Sequence, residues 1–329
     1  AKQIDHRIDM GISDDDSAAA LGIAMGRGVA GMAAVLEADR PDLMLVLGDR
    51  YEMLAMASAA VIARVPVAHI AGGDITEGAF DDAIRHAISK LSSLHFTTNA
   101  AARDRLIQMG EDPARVYVTG SPGIDTILET PLMDRVATLR LLGLDPFTPA
   151  YLLATVHPPT LTEDGGLGLL LALLEALEQV EDIPVVFTGS NADPGARRLD
   201  KTVQHWSEGR EKARFFPSLG SERYLSAVAH AAAVVGNSSS GLYEAPTLAA
   251  PTVNIGDRQS GRPRASSVID CDATPDAIFE AIAKATATPL TKPIVNPYGH
   301  GKAAAQIAAV IAGLEQPALL VRKSFRDIR

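Results

Sequence analysis

Short runs of Val, Ile and Leu alternate with longer helical patterns along most of this 329-residue chain. Runs that apolar must be covered on both faces, which a parallel β-sheet sandwiched between helices provides. The reading predicts strands at Asp42 to Leu47, Val65 to Ile70, Leu94 to Thr98 and Arg115 to Thr119, with helices over Glu52 to Ala63, Asp81 to Lys90 and Ala100 to Met109 between them. GLDPFTPA, Gly143 to Ala150, concentrates Gly and Pro and reads as a linker. The alternation then restarts, with strands at Tyr151 to Val156, Ile183 to Thr188, Ala213 to Phe216, Ala233 to Gly236 and Thr252 to Ile255. Ala303 to Leu314 and Ala318 to Ile328 read as closing helices. The expectation is two α/β domains, residues 1–145 and 146–314, facing across a cleft, with a C-terminal helix over 315–329. In such sheets ligands sit at the carboxyl ends of the strands.

The chain opens on strand-like Ile4 to Met10 and passes almost directly to a long helix at Ser17 to Asp39, so the usual first strand, Gly-rich turn and helix are expected to be missing. The one G-x-G-x-x-G match, GRGVAG at Gly26 to Gly31, falls inside that helix and lacks the context of a dinucleotide fingerprint. No segment holds the roughly 20 uninterrupted apolar residues of a membrane span, and the N-terminus lacks a signal-peptide core. With 40 acidic and 30 basic residues, the net charge of −10 argues against general nucleic-acid binding. One cysteine, Cys271, permits neither an internal disulfide nor a cysteine metal cluster. The chain reads as a cytoplasmic protein with no membrane partner.

Four segments could carry chemistry. GDRYE (Gly48 to Glu52) puts Asp49 and Arg50 at a strand end, where Asp could equally cap the next helix. HIAGGDITEGAFDDAIRH (His69 to His86) places a Gly pair after a strand, then Asp74, Glu77, Asp81 and Asp82 ahead of Arg85 and His86. Asp81 or Asp82 is spaced to meet Arg85 on one helix face, and a capped helix with an ion pair is the plain alternative. ATVHPPT puts His157 at the end of the second domain's first strand, where an imidazole can meet a phosphate or move a proton. GNSSSGLYEAP offers Ser238, Ser239, Ser240 and Gly241 at a strand-to-helix turn, a cradle for an anion without a Walker lysine; a single Ser N-cap is the alternative. Glu244, slightly further on, has the reach to accept sugar hydroxyls. Asn237-Ser238-Ser239 also spells a glycosylation sequon, discounted for a cytoplasmic chain.

GDRYEMLA, HIAGGDITEGAFDDAIRHAISKLSSLHF, IQMGEDPARVYVTGSPGIDTI, TVHPPTL, GNSSSGLYEAPTL, PTVNIGDRQSGR and NPYGHGKAA together resemble the hydrolysing UDP-N-acetylglucosamine 2-epimerases of sialic-acid-type biosynthesis, nearly from end to end. Hydrolysing UDP-diacetylbacillosamine 2-epimerases share most of these motifs. The resemblance implies two Rossmann-like domains of the GT-B type and a small UDP-sugar substrate. It also implies no cofactor, no essential metal, and a homodimer or homotetramer. It implies elimination of UDP across C1 and C2, then addition of water, giving UDP and N-acetylmannosamine. Asp49, Arg50, Asp74, Glu77, Asp81, Asp82 and His157 are the implied catalytic set. Arg85, His157, Ser218, Ser238, Ser239, Ser240, Gly241, Glu244 and Arg262 are the implied UDP contacts. Two departures stand out: Ala71 occupies a position where related epimerases often carry an acid, and the family's opening strand with its Gly-Thr-Arg turn does not precede Ala1.

Overall fold

Each strand expected from Asp42 onward is present in the computed structural model, which describes residues 4–11, 17–76, 80–158, 164–190, 195–287 and 294–327. The chain divides into two units, Ala1–Pro122 with Lys302–Arg329, and Gly123–Gly301.

The first unit runs α1 (Ala18–Ala38), β1 (Met44–Leu47), α2 (Tyr51–Ile62), β2 (Val67–Ile70), α3 (Phe80–Leu91), β3 (Leu94–Thr97), α4 (Ala100–Gln108) and β4 (Val116–Val118). Its four strands pair in parallel in the order β1-β2-β3-β4. β2 and β3 are buried along their whole length, as continuous apolar strands must be. Val46, Ala57, Ala60, Val67 and Ile88 form one core layer beneath α2 and α3.

The second unit holds α5 (Pro122–Glu129, starting at the boundary), α6 (Arg135–Leu141), β5 (Leu152–Thr155), α7 (Leu167–Glu178), β6 (Val185–Thr188), α8 (Ala196–Ser207) and β7 (Ala213–Phe216). It continues with α9 (Ser221–His230), β8 (Ala233–Gly236), α10 (Ser240–Thr247), β9 (Thr252–Ile255), β10 (Val268–Cys271) and α11 (Pro275–Ala287). Its parallel sheet has the order β10-β9-β8-β5-β6-β7. The order reverses at β5, where β6 and β7 are laid to one side and β8 to the other. This is the switch point at which such sheets open a crevice. Both units are thus Rossmann-like α/β layers.

Several expectations are corrected. GLDPFTPA is no linker: Leu139, Leu142 and Leu144 are buried against Tyr151, Leu153 and Val186, so α6 and the following turn are part of the second unit's core. The boundary falls at Pro122 and Gly123, and the chain returns to the first unit at Lys302, where α12 (Ala303–Ala312) packs Ile307 on Leu94 and Phe96. The described part of the expected C-terminal helix, residues 315–327, holds no α-helix: a short 3-10 turn at Pro317–Val321 leads into non-helical chain through Asp327. Side-chain and backbone bonds hold that tail in place, with the Arg115 guanidinium donating to the Arg322 carbonyl at 3.2 Å and the Arg326 backbone N–H donating to Gly110 O at 3.0 Å. Ile4 to Met10 is not a strand; Ile8 and Met10 lie on α1 where Gly31 and Gly28 leave room for them. That packing also explains Gly28 and Gly31 of GRGVAG, whereas a Cβ on Gly26 would meet open space. α1 itself is long and apolar enough by length and composition to span a membrane, with a mean hydropathy of 1.6, because a window average tolerates the Arg27 that interrupts an unbroken count. The helix packs on α2, burying Ala24, Gly28 and Leu36. β10 (Val268–Cys271) was not expected, because Asp270 interrupts its short apolar run.

Candidate active site

At the carboxyl end of the first unit's sheet, two strand ends and the first turn of a helix converge on one arginine. β1 ends in Gly48 and Asp49, β2 runs into the AGGDIT turn, and α3 brings Asp81, Asp82 and Arg85 across both. The turn is tight: Ala71 sits at φ 64°, a left-handed conformation unusual for a residue with a Cβ, and its N–H still pairs with Phe96 O at 2.9 Å. A Cβ on Gly72 would meet His69 Nδ1 and Ser89 Oγ at 2.7 and 2.8 Å, and one on Gly73 would strike the Ala102 carbonyl. The glycine pair therefore serves a close approach to the protein's own groups.

Arg85 is 3% exposed. Its Nη1 donates to Asp74 O at 2.8 Å and to Asp82 Oδ1 at 2.9 Å; its Nη2 donates to Thr76 Oγ1 at 2.8 Å and to Asp49 Oδ2. All four terminal N–H groups are engaged, so the phosphate contact expected of Arg85 is not what this geometry supports. It is the fork that fixes two carboxylates and the turn between them. Asp82 also accepts the Thr76 N–H at 2.7 Å, and His86 Nε2 lies 3.5 Å from its other oxygen. Asp81 is outside this fork. Burial, and then the charge of Asp49, push its carboxyl above the usual range.

Asp74 Oδ1 accepts Thr98 Oγ1 at 2.7 Å and Asn99 Nδ2 at 3.2 Å, tying the turn to β3. Arg50 is exposed and pairs with Glu52 at 3.1 Å, away from Arg85. Glu77 lies outside the described residues. Sequence reading missed His69, which is fully buried. Its Nε2 lies 2.8 Å from Gly48 O and its Nδ1 3.1 Å from Ser89 Oγ. Burial pushes this imidazole down to about 4, so it is neutral; a carbonyl only accepts, hence Nε2 carries the proton and donates it to Gly48 O.

In the second unit, His157 and the serine turn follow β5 and β8, the two strands at the switch point. His157 Nε2 lies 3.2 Å from Ser238 Oγ. Asn237, fully buried, accepts the His157 N–H on Oδ1 at 2.7 Å and donates from Nδ2 to His157 O at 2.8 Å. Its burial is at odds with use as a glycosylation site. A Cβ on Gly236, at φ 136°, would strike the Thr155 carbonyl, so only glycine lets β8 lie against β5 here. Ser239 occupies the α10 N-cap position without a side-chain cap bond. The plain capping reading therefore does not account for it.

Two of the expected contacts face inward. Ser240, 6% exposed, accepts the hydroxyl of half-buried Tyr224 at 2.7 Å, and Gly241 is buried where a Cβ would meet Thr252 Cγ2 at 2.6 Å. Burial drives the Glu244 carboxyl upward, and a hydrogen bond with Ser240 partly offsets the shift. Ser218 follows edge strand β7, with β6 and β5 between it and β8, and accepts the Gly220 N–H at 3.2 Å. The sheet order does not bring it to the turn. Arg262 donates to Gln259 Oε1 at 2.9 Å.

Residues 2–312 match the family described as UDP-N-acetylglucosamine 2-epimerase. A Campylobacter jejuni GDP/UDP-N,N'-diacetylbacillosamine 2-epimerase (hydrolyzing) is 38% identical over 245 residues, 74% of this chain and 64% of that protein, so the chain spans under two thirds of this relative's length. A Legionella pneumophila UDP-N,N'-diacetylbacillosamine 2-epimerase (hydrolyzing) is 33% identical, over 85% of this chain and 73% of its own. The fold is shared with Neisseria meningitidis UDP-GlcNAc 2-epimerase bound to UDP-GlcNAc, at a TM-score of 0.72 and 20% identity over 92% of this chain and 84% of that one. The match in order and extent, over both Rossmann-like units, places the chain in the UDP-N-acetylglucosamine 2-epimerase family.

Proposed function

We propose that the chain acts on a UDP-N-acetylated sugar as a hydrolysing 2-epimerase, releasing UDP and the free sugar inverted at C2. The observation that carries this reading is the Arg85 fork, which holds Asp49 and Asp82 and leaves Asp81 as a partly buried carboxylate of raised basicity. Abstraction of a hydrogen from C2, which no neighbouring carbonyl acidifies, calls for such a base. Asp81 takes the C2 proton, the C–H electron pair forms the C1–C2 double bond, and the C1–O bond breaks with its pair going to UDP. Water then adds its hydroxyl to C1 as a proton returns to C2 from the opposite face. His157, Ser238 and Ser239 at the β5 and β8 ends, with α10 behind them, suit the leaving diphosphate. Glu244 suits the ribose hydroxyls. The preferred sugar is N-acetylglucosamine, giving N-acetylmannosamine. The Campylobacter and Legionella relatives favour a second reading, a diacetylated 6-deoxy sugar.

Incubation with each UDP-sugar in D₂O, followed by NMR, tests this. Free sugar deuterated at C2, with oxygen from labelled water at C1, is expected, and Asp81→Asn slows turnover about a hundredfold or more. Free sugar that retains its C2 hydrogen would overturn the elimination, and an epimerised sugar still bearing UDP would place the chain among non-hydrolysing epimerases. UDP binding without any turnover would mark a binding module.

A further inference from the structure

The β5–β8 ladder stops early, and a side chain continues it. The last backbone register pair is Thr155 with Gly236, and the Asn237 N–H reaches Thr155 O at 3.3 Å. Beyond His157 the backbone cannot go on pairing, because Pro158 has no N–H. In place of a backbone rung, the Asn237 amide both accepts from the His157 N–H and donates to the His157 carbonyl, at 2.7 and 2.8 Å. Only one amide orientation satisfies both bonds.

Asn237 is fixed from behind in turn. Its backbone carbonyl accepts Gln259 Nε2 at 2.8 Å and Arg258 Nη1 at 3.2 Å. Gln259, 1% exposed, takes Arg262 Nη1 on its Oε1 at 2.9 Å, which fixes the orientation of its amide as well. A continuous chain thus runs from Arg262 through Gln259 and Asn237 to His157. It sets the backbone of a residue whose ring nitrogen lies 3.2 Å from Ser238 Oγ. We infer that Asn237, backed by Gln259, is the positioning residue for His157, a purely hydrogen-bonded mount that gives the imidazole its place without touching any ligand. Both requirements select asparagine: aspartate lacks the donor, and glutamine is one methylene too long.

This inference rests on the reading of His157 as a diphosphate contact, and the test separates the two. UDP affinity of the full chain is measured by calorimetry for Asn237→Asp, Asn237→Ala, Gln259→Met, His157→Ala and the double variant. His157 ring resonances and amide exchange are followed by NMR without ligand. Asn237→Asp and Asn237→Ala are expected to weaken UDP about as much as His157→Ala, roughly tenfold, and the double variant to bind no more weakly than the worse single one, because the two residues act as one unit. Asn237→Asp should also shift the His157 ring resonances and speed its amide exchange. Losses that multiply in the double variant, or an Asn237→Asp protein with wild-type affinity and unmoved His157 signals, would overturn the inference. If His157→Ala itself binds UDP normally, the diphosphate role falls, and the NMR readout alone decides whether Asn237 positions the ring. Should Asn237→Ala fail to fold, Gln259→Met carries the test, with about threefold weaker UDP and shifted His157 signals expected; wild-type values would count against the chain of contacts.

Discussion

The strand ends of the two units solve one problem, placing polar side chains at the rim of a parallel sheet, with opposite materials. In the first unit the placement is ionic: Arg85, with a side chain 4% exposed, sits between Asp49 and Asp82, and each member holds the next by charge as well as hydrogen bonds. In the second the acceptors are neutral: Asn237, Gln259, Ser240 and Tyr224 hold the loop and helix by hydrogen bonds, and Arg258 and Arg262 donate there to the Asn237 carbonyl and the Gln259 amide oxygen. An ionic mount keeps carboxylates close together that would otherwise repel, and proton transfer needs that. It is also fragile, since removing one member leaves a partly buried charge without its counterion. A neutral mount loses only a hydrogen bond, about 1 kcal/mol or somewhat more when a partner is left unsatisfied.

The largest expected effect follows directly. Arg85→Met should destabilise the first unit by about 3 kcal/mol and abolish turnover, because Asp49 and Asp82 then face each other uncompensated. Arg85→Lys restores the charge but not the four-way fork, and should recover stability more than activity. Urea unfolding can separate the units, since Trp206 is the chain's only tryptophan and lies in the second; its fluorescence transition should stay put while hydrogen exchange reports the loss in β2 and β3. A loss in Arg85→Met below about 1 kcal/mol would erase the contrast.

Acid should separate the units next. His69 falls from an ordinary 6.5 to about 4 on burial, so between those values the unfolded chain binds a proton that the folded one refuses. Stability of the first unit should therefore drop as pH falls from 6.5 towards 4, by up to about 3 kcal/mol at the lower limit. Glu111 extends the loss: burial alone would raise its carboxyl, yet bonds from His95, Lys323 and Lys90 hold it at about 2, so its contribution fades below about 4.5. Glu244 of the second unit has the opposite sign. Its folded carboxyl is raised, the folded state binds the extra proton, and acidification just above the ordinary carboxylate range stabilises that unit. Exchange-monitored unfolding at pH 7 and pH 5 should show β3 protection falling while β8 protection holds. His69→Gln should flatten the response of the first unit.

Strand identity was legible because parallel strands are apolar throughout, and the switch-point residues His157 and Ser238 were legible because they directly follow such runs. Roles were harder to read. Arg85 reads as a phosphate ligand or a surface partner of Asp81 or Asp82 until the fold brings Asp49 and Thr76, distant in sequence, onto its other N–H groups. Ser240 looks like a third cradle hydroxyl, but helical rotation turns it towards Tyr224. Asn237 and Gln259 were hidden because a side chain that mimics a backbone rung has no sequence spacing of its own. His69 was hidden inside a strand whose apolar pattern it breaks, and that break was the available signal. The domain boundary was misplaced because Gly and Pro mark the α6 turn as strongly as they would a linker, and only burial of Leu142 and Leu144 distinguishes the two.

The ionic style of the first unit reaches its C-terminal tail, which gives a smaller test. Lys323 donates to Ser92 O at 2.6 Å and Lys90 O at 2.8 Å, and lies 2.8 Å from the buried Glu111 carboxylate. Lys323→Met removes this cation from the end of α3 while Lys90 and His95 still attend Glu111. The expected loss is about 2 kcal/mol, between that of a lone hydrogen bond and that of a broken pair. Faster exchange should be confined to the α3 end and the tail, with Trp206 unaffected.

Glu244→Gln sharpens the comparison at its quiet end. The carboxyl is disfavoured by burial and eased by Ser240, so replacing it with a neutral amide of the same shape removes a charge the second unit does not need for folding. Fold stability at pH 7 should change by less than about 1 kcal/mol, and by a small gain if the burial penalty dominates. UDP affinity should instead fall by about 1 kcal/mol, since the amide offers a ribose one acceptor where the carboxylate offers two. Calorimetry and the Trp206 unfolding midpoint read these separately. Should Glu244→Gln destabilise the second unit as deeply as Arg85→Met destabilises the first, the second mount is ionic too, and the division between the units is one of residue names only.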